Sequence, residues 1–202
     1  TFLERIMVGG RKRNFDKQEV LAKATLVFWQ KGFIGASMTD LTDGMGINKP
    51  SLYSTFGNKA GLFVSATEYY VEHYGAPHFE LLNDDKISLN QRLNNYIFSV
   101  IDMQCDANLP SGCFISLAAG ETASNEMPEE AIDAIKNVQT AHEVELRAFF
   151  SKAVELGELP SDFDVHSYVL FLLSVIHGSA VMARCGKSAA EIKQAAKQGI
   201  SL

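Results

Sequence analysis

Gly44-Met45-Gly46-Ile47-Asn48-Lys49-Pro50-Ser51-Leu52-Tyr53-Ser54-Thr55-Phe56-Gly57-Asn58-Lys59 is the most informative stretch of this 202-residue chain. It reads as the end of one helix, a tight turn built on glycine, a short helix opened by proline, and the cap of a further helix. Pro50 suits a first helical turn, where a missing N–H costs nothing. Leu52 and Phe56, four apart, share one inward face. This is the layout of a helix-turn-helix, whose second helix enters the major groove of DNA. That helix carries Lys49, Ser51, Tyr53, Ser54 and Thr55, side chains able to meet phosphates or base edges. A helix serving only a core would not need so many donors.

Working outward, Asp16 and Glu19 suit a helix start, and Val20, Leu21, Ala24, Val27 and Phe28 follow at helical spacing. Gly32 stops that helix. Ser37, with Asp40 three residues on, opens a second short helix. Ser37 and Thr39 therefore lie at a helix N-terminus, where phosphate binding is favoured. Asn58 caps a fourth helix over 59–74, and Lys59 in its first turn can clamp another phosphate. The pattern then predicts helices over 88–105, 113–123, 128–156, 164–185 and 189–199. No run alternates as a strand does, so the fold class is all-α with nine helices.

The blocks Phe28-Trp29-Gln30-Lys31-Gly32-Phe33, Ser37-Met38-Thr39-Asp40-Leu41, Ile47-Asn48-Lys49-Pro50-Ser51-Leu52-Tyr53 and Phe56-Gly57-Asn58-Lys59, followed by Leu62-Phe63, share order and spacing with one family. In these residues the chain resembles the N-terminal domain of TetR-family transcriptional regulators. The resemblance implies an N-terminal three-helix helix-turn-helix DNA-binding domain (1–60, with a basic arm) and a C-terminal helical ligand-binding and dimerisation domain (61–202). It implies DNA contacts at Thr39, Lys49, Ser51, Tyr53 and Lys59, with Ser37, Pro50, Ser54 and Thr55 beside them. It further implies a homodimer on a palindromic double-stranded operator, most often a repressor, released by a small-molecule effector whose identity stays open.

Charge and composition agree with that division. The net charge is −6, yet residues 1–60 hold nine Lys/Arg against five Asp/Glu, a net of +4, which leaves −10 for the rest. A basic end on an acidic body suits a polyanion at one end only. Arg11-Lys12-Arg13 form a basic arm that could follow the minor groove or the backbone. No apolar stretch follows them as in a signal peptide, and the apolar run 168–183 is interrupted and short for a membrane span, so a cytoplasmic protein is expected. Three cysteines without CxxC spacing and scattered histidines point to no metal and no cofactor. Hydrolase, metalloprotease and phosphate-loop motifs are missing, so no catalytic residue and no enzyme is expected.

The body offers weaker signals. Phe98, Ile101, Met103, Phe114, Leu117, Phe149 and Phe150, together with Cys113, could line an apolar effector pocket, and the apolar seven could equally fill a core. Cys113, just after Pro110-Ser111-Gly112, stands at a helix start, where a thiol is activated; Cys105 could resolve it. An alternative function is therefore a thiol-based redox or electrophile-sensing regulator. An alternative from another class is a helical protein-interaction module without DNA binding. The helix over 164–184 is apolar almost all round, which nominates Tyr168, Leu172, Val175, Ile176 and Ser179 for the dimer interface.

Overall fold

The computed structural model describes residues 16–200. Among them every regular element is helical. Helix α1 (Lys17–Gly35) starts at Asp16, whose carboxylate accepts the Gln18 N–H at 2.9 Å. Helix α2 (Met38–Met45) opens on a capping box between Ser37 and Asp40 and closes at Gly46, whose φ of 69° provides the tight turn. Helix α3 (Lys49–Phe56) has Asn48 as its cap, and α4 (Lys59–Tyr70) has Asn58. Side-chain oxygens thus satisfy backbone donors that each helix start leaves free.

The fourth rod is longer than its sequence pattern suggests. After α4 the chain passes through one π turn (Val71–Gly75) into α5 (Ala76–Phe79) and a 3-10 turn (Glu80–Leu82). Pro77 does not break it, because it falls in the first turn of α5, where no N–H is required. The remaining helices are α6 (Leu89–Gln104), α7 (Phe114–Glu121), α8 (Glu129–Glu155), α9 (Val165–Arg184) and α10 (Ala189–Ala196). With α4, its π turn and α5 taken as one rod, the described residues hold nine helices, as the pattern predicts.

Two hydrophobic cores organise these rods. The first joins the head to the body: Phe28, Phe33 and Phe63 pack with Phe114 of α7, and Ala131 and Ile135 of α8 close it. Phe63 and Phe114 stack with ring centroids 5.3 Å apart. The second packs α6, α8, α9 and α10 around residues such as Leu93, Ile97, Leu146, Phe150 and Leu172. Each fully buried side chain of this size contributes about 2 kcal/mol.

Polar bonds fasten the end of α1 to the body. At Gly32 φ is 75°, so the regular helix stops there and the next two N–H groups are free. Glu121 of α7 accepts both, from Phe33 at 2.7 Å and from Ile34 at 3.2 Å. On the other side Arg184, in the last turn of α9, donates to the Trp29 and Gln30 carbonyls at 3.4 and 3.3 Å and to the Ser111 carbonyl at 3.3 Å. A cation at the carbonyl end of α1 also suits its dipole.

Helix α9 corrects the sequence-based interface. Leu172, Ile176 and Ser179 are buried within their own subunit. Ser179 donates to the Gln104 Oε1 at 2.7 Å, and Gln104 Nε2 donates to the Ile176 carbonyl at 3.1 Å. Tyr168 is half-buried and spends its hydroxyl on the Ile200 carbonyl at 2.9 Å; Val175 packs beside the second core. The apolar side chains left outside are Leu170, Phe171, Val181 and Met182. A helix apolar all round cannot reveal from sequence which side its own core takes. By length and composition α9 could cross a membrane, contrary to the reading of 168–183 as too short, but one face of it is committed to the second core.

Gly32 is needed twice, for its positive φ and because a Cβ there would lie 2.3 Å from the Glu121 carboxylate. Gly32→Ala should destabilise the fold by about 3 kcal/mol, the sum of backbone strain and a displaced hydrogen-bonding carboxylate. In thermal unfolding that corresponds to a loss of roughly 6–12 °C. An unchanged midpoint would refute the clamp's energetic role.

Candidate functional site

The reading head presents its donors from rigid ends. Lys49, Pro50 and Ser54 on α3 are exposed, Ser51 is half-buried, and Tyr53 stands 48% exposed despite its large apolar ring. The first turn of α3 is held by Asn48, which accepts the Ser51 N–H at 2.9 Å. Leu52 and Phe56 are buried and fix the helix on the first core. Ser54 donates to the Ser51 carbonyl at 3.0 Å. Thr55 turns inward, its hydroxyl oxygen buried and without a hydrogen-bond partner among the described residues, so it does not join the exposed row. Thr39 is exposed at the start of α2.

Two candidates are engaged within the protein. The Ser37 hydroxyl belongs to the capping box, accepting from the Asp40 N–H at 3.0 Å. Hydrogen bonds and pairing with Lys31 hold the Asp40 carboxyl well below the usual carboxylate range. Lys59 lies with Nζ 4.5 Å from the centre of the Phe33 ring. Its burial lowers its pKa, and the charge of Glu121 partly offsets that. The arm Arg11-Lys12-Arg13 lies outside the described residues.

The body contains a cavity of about 1640 Å³ between the α4–α5 rod, α6, α8 and α9. Of the expected pocket residues, Met103, Cys113 and Phe149 line it. The other five do not. Phe114 belongs to the first core, and Ile101 and Phe150 to the second. Phe98 faces the ammonium groups of Lys193 and Lys197, at 5.7 and 5.2 Å. Leu117 is half-buried on α7 away from the cavity. Apolar residues are core material first, and composition does not separate the two roles.

The cavity's polar wall went unread in the sequence. Tyr70, Tyr74 and His78 line it from the α4–α5 rod, and Tyr96, His142 and His177 from α6, α8 and α9. The spacing of four between Tyr70, Tyr74 and His78 was a visible signal; the other three meet only in the fold. The Tyr96 hydroxyl lies 2.6 Å from His142 Nε2, the Ser99 hydroxyl 2.6 Å from His78 Nδ1, and the Ser116 hydroxyl 2.8 Å from His177 Nδ1. Burial lowers the pKa of all three histidines, and that of His142 to about 4. Burial also raises that of the Tyr96 phenol. These rings are therefore neutral at pH 7.

One wall connects the cavity to the head. Tyr70 and Tyr74 set their rings edge-on against Trp29 of α1, at 4.9 and 5.2 Å. Tyr70 also donates its hydroxyl to the Cys113 sulfur at 3.3 Å, at the N-cap of α7. Cys105 belongs to a different neighbourhood, its sulfur 3.9 Å from the Lys187 carbonyl, and burial pushes its thiol pKa up.

A helix-turn-helix head, bolted to an all-helical body with a partly open cavity, defines a DNA-binding regulator of transcription. Residues 20–66 match the family model for bacterial regulatory proteins of the tetR family, and residues 90–198 that for the tetracyclin repressor-like C-terminal domain. The chain belongs to the TetR family. It is 30% identical over 187 residues to the HTH-type transcriptional repressor ComR of Escherichia coli (strain K12), covering 93% of this chain and 88% of that protein. It is 43% identical over 79 residues to the repressor BdcR of the same organism, across 39% of this chain and 40% of that one. Among solved structures it resembles a cysteine mutant of the TetR-family regulator CifR in complex with 26-bp double-strand operator DNA. There the identity is 28%, the TM-score 0.88, and the coverage 95% of this chain and 98% of that one.

The neutral histidines set a dependence on pH. Above about pH 6.5 His142 is uncharged whether folded or unfolded. Below it the unfolded chain takes up a proton that the folded protein refuses until about pH 4, so stability is lost as pH falls through that window. The loss from His142 alone should approach about 3 kcal/mol at pH 4. Urea unfolding between pH 7.5 and 4.5 should show a shallower decline for His142→Gln than for the unaltered protein. Equal slopes would refute the assignment.

Proposed function

We propose that this protein is a homodimeric repressor of the cytoplasm that binds a palindromic operator in double-stranded DNA and leaves it when a small molecule enters the cavity. Residues 1–60 form the DNA-binding unit and 61–202 the effector-binding and dimerisation unit. Thr39, Lys49, Pro50, Ser51, Tyr53 and Ser54 face the groove and its backbone. Ser37 and Lys59 support phosphates at helix starts, and Thr55 serves packing. Two heads are needed because one reads only a few base pairs. The apolar row Leu170, Phe171, Val181 and Met182 is the surface through which α9 meets a second copy.

The observation that carries effector release is the contact of Tyr70 and Tyr74 with Trp29. A ligand that moves the two tyrosines acts directly on α1, the helix against which α2 and α4 pack. Affinity for one head spacing then differs between the free and ligand-bound states, as allosteric coupling requires. The names of ComR and BdcR as repressors, and the operator complex of CifR, support the reading.

Selection from random duplex DNA should yield a palindromic consensus bound by a dimer. Binding should weaken steeply with salt, and Lys49→Ala should reduce the slope of log K against log salt by about one unit. Failure to enrich any sequence would reject the reading.

A second reading makes Cys113 a sensor of oxidants or electrophiles. It is favoured by the position of that thiol in the cavity wall, bonded to Tyr70. Cys113→Ser should then keep operator binding but lose release by hydrogen peroxide or N-ethylmaleimide. Release that persists in the variant removes this mechanism.

A further inference from the structure

Resting on the cavity as the effector site, we infer that its ligand is an uncharged, flat apolar molecule carrying a hydrogen-bond acceptor such as a carbonyl. The walls explain the flat apolar body. Tyr70, Tyr74, Phe79, Tyr96 and Phe149 bring aromatic rings to the cavity from the α4–α5 rod, α6 and α8. Such surfaces favour stacking and edge contacts with a planar partner.

The absence of ligand charge follows from the distribution of charged groups. In the wall stand His78, His142 and His177, half-buried and each tied through one ring nitrogen to a hydroxyl. They offer neither a fixed cation for an anionic ligand nor a fixed anion for a cationic one. Among the charged lining residues Arg92 is buried, its charge matched by Glu158; the rest lie nearer solvent and are mostly acidic. Glu80, Asp85 and Glu145 are exposed, and Lys152 is the exposed base among the lining residues. The others are already paired, Glu158 with Arg92 and Glu143 with Arg147. This acidic mouth repels carboxylates and phosphates. A cation drawn past it would be buried without a partner, at a cost of several kcal/mol.

The acceptor follows from His142. The Tyr96 hydroxyl, kept protonated by burial, lies 2.6 Å from His142 Nε2 and has no other hydrogen-bond partner among the described residues; the phenol is the more acidic group and the imidazole nitrogen the more basic, so we assign the hydroxyl as donor. The proton of the neutral imidazole is then on Nδ1. Among the described residues Nδ1 has no hydrogen-bond partner, which leaves one N–H donor in the cavity wall for a ligand acceptor. A donor left unmatched in a closed complex costs binding energy, so an acceptor at this point is selected.

The test uses three molecules with one ring system and different charge: 2-acetylnaphthalene, 2-naphthoate and 2-naphthyltrimethylammonium. Their binding to the full chain is measured by calorimetry at pH 7.5, with operator binding of the same preparation as the control for folding. We expect 2-acetylnaphthalene to bind at least about tenfold more tightly than either ion, as burial of an unpaired charge demands. His142→Phe, which keeps the aromatic volume but removes the donor, should weaken it by about fivefold or more and leave operator binding intact. A preference below tenfold, or a preference for either ion, overturns the inference on charge. Undiminished affinity in the variant overturns the acceptor. If none of the three binds while the operator is still held, the inference on ligand class is overturned, whereas the reading of the cavity as effector site stands or falls separately on whether any small molecule releases the operator.

Discussion

The end of α1 is the joint on which the rest depends. A helix that stops leaves carbonyls unpaired behind the stop, and the positive φ of Gly32 leaves N–H groups unpaired beyond it. The body supplies both complements. Arg184 takes the carbonyls of Trp29 and Gln30, and Glu121 takes the N–H groups of Phe33 and Ile34. These two side chains come from α9 and α7, so a single broken helix is held from two sides of the body. The first hydrophobic core runs under the same joint, since Phe114 of α7 stacks on Phe63 of α4. The reading head is therefore not a bead on a linker. Its orientation is set by the packing of the body.

That joint lies beside the cavity. Trp29, whose carbonyl Arg184 holds, is also the residue that Tyr70 and Tyr74 touch from the cavity wall. Arg184 further reaches Ser111, two residues before Cys113. Cavity wall, α1 and the last turn of α9 thus form one contiguous network of packed rings and hydrogen bonds. Coupling between distant sites needs such an element with alternative arrangements. Here it is one helix end within hydrogen-bond reach of both its partners.

Local chemistry was legible in the sequence, and shared surfaces were not. Caps at Asp16, Ser37 and Asn58 were readable because a side chain and a backbone N–H two or three residues away settle them. The turn at Gly46 and the inward pair Leu52 and Phe56 were readable for the same reason. The cavity was not. Phe98, Ile101, Phe114, Leu117 and Phe150 have the right composition but face elsewhere, while Tyr96, His142 and His177 come from three helices far apart in the chain. Helix α9 misled in the same way: its periodicity marks no single apolar face, so Leu172 and Ile176 looked as available as Leu170 and Val181.

By itself, then, the sequence determined that the chain is all-helical, where most of its helices start, and that its first third carries a DNA-reading head. Those properties rest on interactions within about four residues, which spacing reveals. Only the tertiary structure decided which aromatics enclose space and which fill it, which side of α9 is left for a partner, and that Glu121 and Arg184 grip the end of α1. Those outcomes depend on pairs separated by 87 and 155 positions, such as Ile34 with Glu121 and Trp29 with Arg184. Helix packing alone decides whether such residues meet.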